Sequence, residues 1–357
     1  MTTIDEIMQR WRALQPLSGK ATDALNRRFT IDFNYNSNHM EGNTLTYGQT
    51  EILLLFGKIM GEAEVRDVQE MTASNVGLKM MTAEAASKDV PLTQSFIRSL
   101  HKTLLREDYT VNRSLPGGVQ TSYVIHASQY KTRPNSVITR YGDRLEYASP
   151  EETPALMTDL VNWYNEAEKA EKLTPIELAA LFHYRYTRIH PFEDGNGRIA
   201  RLMVNYILAR HGYPMIVVRS RRKNEYLEAL HKTDLTVGPV PADGARASKR
   251  AIQHFLTYFT NLVVSEISYN ISFLTEGAED VWWFDGEKVR FRTQTTSKML
   301  NRMSIEPKIT IPALATGLGI SVAAVNKQLR TLIQKGYIAR TEREGAWRII
   351  VTPSIVP

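Results

Sequence analysis

Residues 174–214, TPIELAALFHYRYTRIHPFEDGNGRIARLMVNYILARHGYP, constrain the fold more than any other stretch. They read as two helices with a glycine-bearing loop between. The first begins on explicit signals: Thr174 as N-cap, Pro175 as first helical residue and Glu177 as third. Leu178, Leu181 and Phe182 then form an apolar stripe. The second helix starts near Gly197, buries Leu202, Met203, Tyr206 and Ile207, and stops at Gly212.

The rest of the chain must be arranged around this pair. At 357 residues it is longer than one compact domain usually is. With 43% hydrophobic and 23% charged residues it has the composition of a soluble globular protein. Its longest apolar runs, such as Ile52 to Phe56, are too short to span a bilayer, so no membrane partner is expected. The N-terminus carries acids among its apolar residues, unlike a signal peptide. There is no cysteine, which removes disulfide and thiol chemistry and fits a cytoplasmic location. The net charge of +6 permits an anionic partner without naming one.

The expected fold is mostly α, in four parts. Residues 1–90 form an N-terminal helical region in which Thr46 and Gln49 have capping-box spacing ahead of EILLLFGKIM. Residues 91–240 form a helical core that begins with a helix from Pro91 to Leu105. The loop-rich stretch after it, Arg106 to Pro150, holds one β-hairpin turning at Tyr141-Gly142-Asp143. Residues 241–300 form a helical linker region, with a long helix from about 245 to Leu274 and then the aromatic patch VWWFDGEKVRFR. From 301 to 357 the order is short helix, turn, a helix capped by Ser321 and stopped by Gly336, and two strands around Glu344-Gly345. That order is a winged helix.

Chemistry concentrates between His190 and Arg201. Gly195 and Gly197 offer bare N–H groups at a helix start, where donors are unpaired and the helix dipole is positive. Such a nest binds anions, phosphate above all. Arg198 and Arg201 lie three apart, on one helix face, and reach the same phosphate chain. Asp194 repels phosphate unless a cation bridges them, so it reads as a Mg²⁺ ligand. His190 is placed to accept a proton from an attacking hydroxyl. One base, one metal and a donor-rich loop suffice for transfer of a phosphate-containing group from a nucleotide. Two decoys fall away. GNGRIA matches a dinucleotide fingerprint, but no strand precedes it. His183 and His190, about 10 Å apart by helical rise, are too distant to share a metal.

The run from His190 to Arg201 resembles the signature of the Fic family, H-P-F-x-[D/E]-G-N-G-R-x-x-R, at every fixed position, and the likeness extends over roughly residues 90 to 235. The resemblance implies a helical core that transfers AMP from ATP to a Tyr, Thr or Ser hydroxyl of a target protein, with pyrophosphate released. It implies that His190 activates the hydroxyl, Asp194 holds Mg²⁺, Gly195, Asn196 and Gly197 grip the phosphates, and Arg198 and Arg201 bind the β- and γ-phosphates. The hairpin from Lys131 to Tyr147 falls where the family has its flap. Asn135, Ser136, Val137, Ile138, Thr139 and Arg140 are then expected to take the target segment as an added strand. Tyr226 matches a family position beside the adenine; its plainer reading is a core aromatic. Asp234 stands where many relatives have Asn.

The hexapeptide SNHMEG, Ser37 to Gly42, resembles the family's inhibitory motif [S/T]-x-x-x-E-[G/N], placed here before the core. The implied device is physical: Glu41 pairs with the Arg201 guanidinium that the γ-phosphate needs. Ser37 and Glu41 share a helix face, and Gly42 ends the turn. The same carboxylate is also placed to position water for removing AMP, as in some relatives.

Between Glu306 and Pro357 seven basic residues face three acidic ones, and Asn326, Lys327 and Arg330 sit on the recognition helix. DNA is therefore a second expected partner, and a DNA-binding regulator with a nucleotide-sensing Fic core is the alternative function. Transfer of another group, phosphate or a different nucleotide, is a third. The target's identity and the oligomeric state, a homodimer included, stay open.

Overall fold

In a computed structural model the chain is described at residues 3–114, 120–138, 142, 144–276, 281–291, 293–341 and 345–353. Five helices come first: α1 (Ile4–Ala13), α2 (Gly19–His39), α3 (Tyr47–Phe56), α4 (Val65–Ala86) and α5 (Gln94–Leu105). Two hairpins follow, β1 (Tyr109–Ser114) with β2 (Gln120–Ile125), and β3 (Ser136–Ile138) with β4 (Arg144–Glu146). Next come α6 (Thr153–Ala170), α7 (Pro175–Ile189), α8 (Asn196–Arg210), α9 (Lys223–Val237), α10 (Pro241–Ala245) and α11 (Gln253–Thr275). The C-terminal part holds β5 (Val281–Phe284), β6 (Glu287–Arg290), α12 (Gln294–Ile305), α13 (Ile311–Leu318), α14 (Val322–Gln334), β7 (Ile338–Arg340), β8 (Trp347–Ile349) and β9 (Thr352–Pro353).

The helix signals read from the sequence operate as expected. Thr174 and Glu177 form a capping box with Pro175 in the first turn, and Thr46 and Gln49 form another. Thr93 caps α5, so that helix begins at Gln94 rather than Pro91. The helix expected from about 245 starts only at Gln253, as α11, and the short α10 precedes it. The β1–β2 hairpin lies in a stretch read as loop.

The chain forms two compact units. One comprises residues 36–42 and 72–263. Its centre is the α7–α8 pair. The sequence assigned α8 one buried face, but the helix is buried nearly all round, Asn196, Arg198, Arg201, Asn205 and Arg210 included. A helix so enclosed must satisfy its polar side chains locally. Asn205 does so through both backbone groups of Ile216, and Arg210 through Glu168 and the carbonyls of Ser87 and Lys88. A Cβ on Gly77 of α4 would press against the Leu104 side chain of α5 at 3.3 Å.

The other unit comprises residues 1–35, 43–71 and 264–357. Its C-terminal portion is a winged helix: α12, α13, Ser321-capped α14 and the β7–β8 wing. Their core contains Met299, Leu300, Met303, Leu314, Val325, Leu329 and Trp347, and it also takes in Trp282 from β5. Trp282, Phe284 and Phe291 of the aromatic patch upstream of residue 301 thus join this core, while Val281 and Trp283 pack with Tyr269 and Phe273. β5 pairs with both β6 and β9.

Candidate active site

His190 ends α7 in the left-handed region, at φ 51° and ψ 60°. A non-glycine residue there is strained unless its surroundings hold it. Its ring is stacked on Tyr147, just past β4, at 3.9 Å between centroids and 8° between planes. Burial, then the Lys131 charge, push its pKa down to about 4, against opposing effects of the Thr187 backbone, Glu41 and Asp194. The imidazole is therefore neutral at pH 7 and free to accept a proton.

The turn that follows is built around Gly195, the N-cap of α8, at φ 79°. Asn196 is turned inward: its amide donates to the Phe192 carbonyl at 2.7 Å and accepts from the Phe192 N–H at 3.0 Å. Its side chain shapes the loop, so any phosphate would meet its backbone. Asp194 accepts from the Gly195 N–H at 2.6 Å, from Tyr109 at 2.7 Å and from Arg198 at 3.3 Å. Burial alone would raise its pKa, but Arg198, the Tyr109 hydroxyl and the Gly195 amide together hold it below the ordinary carboxylate value.

Arg201 is 3% exposed and already occupied. Its Nε donates to Ser37 Oγ at 3.0 Å, and its Nη2 to the Ser37 carbonyl at 2.8 Å and to Glu41 Oε1 at 2.6 Å. Arg201 and Arg198 outweigh burial and keep the Glu41 carboxyl below its usual pKa. Glu41 lies in the turn after α2, where its N–H donates to Asn38 and that of Gly42 to His39; Gly42 has φ 98°. A Cβ on Gly197 would collide with the Glu41 carboxylate. The segment is anchored further by Ser220, which donates to Asn36, and by Lys223 Nζ, which donates to the Met40 carbonyl at 2.6 Å.

In the β3–β4 hairpin Ser136 faces Glu146, Val137 faces Leu145 and Ile138 faces Arg144. Among the described residues this sheet has two strands, and β3 is exposed throughout. Thr139 and Arg140 lie outside the described residues. Asn135, just before β3, donates to the carbonyls of Phe192 and His190. Between the hairpin, the end of α7 and α9 lies a cavity of about 190 Å³, lined by Val137, Ile138, Leu145, Tyr147, Leu227 and Leu230, among others. Tyr226 is not in its lining. It is packed against Phe255 and Tyr258 with its hydroxyl 3.0 Å from His183 Nε2. Asp234 reaches the cavity edge but is held on one oxygen by Arg188 and Tyr184.

Three supporting residues escaped the sequence reading. His101 Nδ1 accepts from the Ser128 N–H, which leaves Nε2–H to donate to the Asp194 carbonyl; its ring is stacked on Phe192. Tyr109 holds the Asp194 carboxylate, and Lys131 grips the carbonyls of Ile189 and His190. Each acts over dozens of residues, and no local pattern marks it.

Among the described residues no three His, Cys, Asp or Glu side chains gather as a metal cage. Mg²⁺ does not need one, because it commonly takes one or two carboxylates together with substrate phosphates. The charged Asp194 beside an N–H-rich helix start fits that mode.

Known proteins resemble the chain in sequence and in fold. Residues 91–208 match the model of the Fic/DOC family, and residues 292–339 that of a winged helix-turn-helix DNA-binding domain. The chain is 30% identical over 224 residues to protein adenylyltransferase fic-1 of Caenorhabditis elegans, a match covering 62% of this chain and 40% of the relative. The chain thus spans less than half the length of that curated relative. A Fic domain containing signaling protein from Bacteroides thetaiotaomicron is 50% identical in a structural match covering 75% of this chain and 95% of that one, with TM-score 0.70. A Fic family protein from Desulfovibrio desulfuricans shares the fold over 97% of this chain and 93% of its own, at 20% identity and TM-score 0.57. By signature loop, helical core and these likenesses, the chain belongs to the Fic/DOC family.

Proposed function

We propose that this chain is a self-inhibited protein adenylyltransferase, and that the contact of Glu41 with Arg201 holds it inactive. The observation that supports the reading most strongly is the occupied guanidinium. Arg201 is one of two arginines beside the anion-binding turn, and its Nε and Nη2 donors are already taken by Ser37 and Glu41.

In the active state the triphosphate lies over the N-terminus of α8. The N–H groups of Asn196 and Gly197 face its oxygens while that of Gly195 holds Asp194, and Arg198 and freed Arg201 neutralise its distal phosphates. Asp194 would hold Mg²⁺, which supplies charge neutralisation on the phosphates. A target Tyr, Thr or Ser hydroxyl, presented by a segment lying along β3, attacks the α-phosphorus. The new oxygen–phosphorus bond forms as the bond to the bridging oxygen of pyrophosphate breaks. The hydroxyl proton passes to a ring nitrogen of His190, which is neutral at working pH. With Glu41 in place, ATP binds with its γ-phosphate excluded from Arg201 and its α-phosphate out of line. An error of about 1 Å costs about a hundredfold in rate.

The test is transfer of label from ATP labelled at the α-phosphate. Glu41→Gly should modify itself or an added target faster than the parent, and Glu41→Gly with His190→Ala should bind ATP but transfer nothing. Label transfer by the double variant removes His190 from the mechanism. Purified AMP-modified substrate decides whether Glu41 also promotes removal of AMP.

A second reading concerns the C-terminal module alone. Lys327 and Arg330 are exposed on α14, which occupies the place of a recognition helix, and Arg340 is exposed on β7. This supports duplex DNA as a partner. Its binding should weaken steeply with salt, while salt-independent or absent binding argues against it.

A further inference from the structure

Lys131 is a buried lysine without a carboxylate. It is 3% exposed, and among the described residues no acidic side chain lies within ion-pair distance of it. Burial pulls its pKa down to about 7, and Glu152 opposes this only from farther off. Its three ammonium protons have three acceptors: Asn135 Oδ1 at 2.8 Å, the Ile189 carbonyl at 3.0 Å and the His190 carbonyl at 2.9 Å. The two carbonyls belong to the C-terminal end of α7, where backbone acceptors lack helical partners and the helix dipole is negative. The helix end stands in for the missing counter-ion.

The same short turn takes the next carbonyls too. The Lys131 N–H donates to Pro191 at 2.9 Å, and the Asn135 amide to Phe192 at 3.1 Å and more weakly to His190 at 3.4 Å. Thr132 and Arg133 both donate to the Glu193 carboxylate. The backbone carbonyls from Ile189 to Phe192 are therefore held by residues 131 and 135, at the point where His190 adopts its left-handed backbone. Asn135 directly precedes β3, so the clasp also fixes the root of the exposed strand.

Resting on the transferase reading above, we propose that Lys131, with Asn135, is a positioning residue for the reaction. It locks the backbone of His190 and the root of β3 in one register, so that base and presented hydroxyl meet at a fixed spacing. Below its own pKa of about 7 its charge also disfavours protonation of the His190 ring. The other groups that act on that ring are Glu41 after α2, Asp194 in the turn, the Thr187 backbone on α7 and Tyr147 after β4, the last by stacking.

The test uses the full chain with Glu41→Gly as parent. Lys131→Met should lower kcat about 30- to 100-fold, as expected for a misplacement near 1 Å, and leave the KM for ATP within about twofold. The acid limb of its pH profile, and the His190 imidazole titration followed by NMR without nucleotide or metal, should move up from the values of the parent, which itself lacks the Glu41 charge. Lys131→Arg, which keeps the charge and N–H donors, should restore part of kcat and keep His190 titrating near the parent. Unchanged kcat, a loss confined to KM for ATP, or an unmoved His190 titration in Lys131→Met overturns the proposal. If Lys131→Met does not give a cooperative melt, Asn135→Ala decides. It should lower kcat about tenfold without shifting His190, since the ammonium remains and only hydrogen bonds are lost; parental kcat refutes the clasp. If the parent itself transfers no label, the transferase reading fails, and the His190 titration still decides the role of Lys131.

Discussion

Replacing Glu41 with Gly removes one short charge-assisted hydrogen bond donated by Arg201 and leaves the two that Arg201 donates to Ser37 in place. A hydrogen bond of this class contributes about 1.5–3 kcal/mol. The Glu41 side chain is 38% exposed, so water screens the pair and the figure falls to about 1–2 kcal/mol. At about 1.4 kcal/mol per factor of ten, Arg201 becomes available to a γ-phosphate about 5- to 30-fold more often. The initial rate of AMP transfer at subsaturating ATP should rise by that factor. Glu41→Gln keeps the length and one acceptor but not the charge, so it should rise about threefold. The nucleotide dependence is diagnostic: ATP should gain affinity in Glu41→Gly, whereas ADP, which lacks the γ-phosphate, should gain little. The assay is a time course of label transfer over a range of ATP concentrations, with ADP as competitor. Equal labelling by Glu41→Gly and the parent at every ATP concentration would refute the reasoning. An equal gain for ADP would show that Glu41 blocks the pocket as a whole rather than one arginine.

Inhibition should persist on mild acidification. The Glu41 carboxyl is held below the ordinary glutamate value, so its contribution is present above that ordinary value and is lost only as pH falls through the lower folded-state one. Relief of inhibition between about pH 8 and 6 in steady-state labelling would contradict the ion pair as the lock. Tyr109→Phe deletes one donor to Asp194 and should weaken the Mg²⁺ dependence of transfer about tenfold, measured by metal titration, with ATP binding in EDTA unchanged. His190→Ala should retain nucleotide binding, measured calorimetrically, because His190 makes no contribution to the nest at the start of α8.

Much of the site was legible because its signals are local. Thr174, Pro175 and Glu177 start α7, Gly195 turns the chain, and Ser321 starts α14, each within a few residues. The pairing of Ser37 and Glu41 with Arg201, 164 and 160 residues apart, was legible only through the likeness of two motifs to one family. What was missed is of another kind. Lys131 reads as an ordinary exposed lysine until the end of α7 arrives over it, and His101 and Tyr109 meet Asp194 from 93 and 85 residues away. The β1–β2 hairpin was overlooked even though Pro116-Gly117-Gly118 separates two β-prone runs. Asn196 was assigned to phosphate, yet burial turned its amide onto the backbone of Phe192. Side chains with two plausible partners are settled by packing, which periodicity does not contain.

The central claim is that the group transferred is AMP and that Glu41 restrains its transfer. Intact mass spectrometry of Glu41→Gly incubated with ATP and Mg²⁺, alone and with candidate targets, tests it most directly. The account predicts additions of about 329 Da, the mass of an adenylyl group, rarer in the parent and absent when His190 is also alanine. Additions of about 80 Da would mean phosphoryl transfer, and together with an unmodified Glu41→Gly chain and targets they are the results that would contradict it.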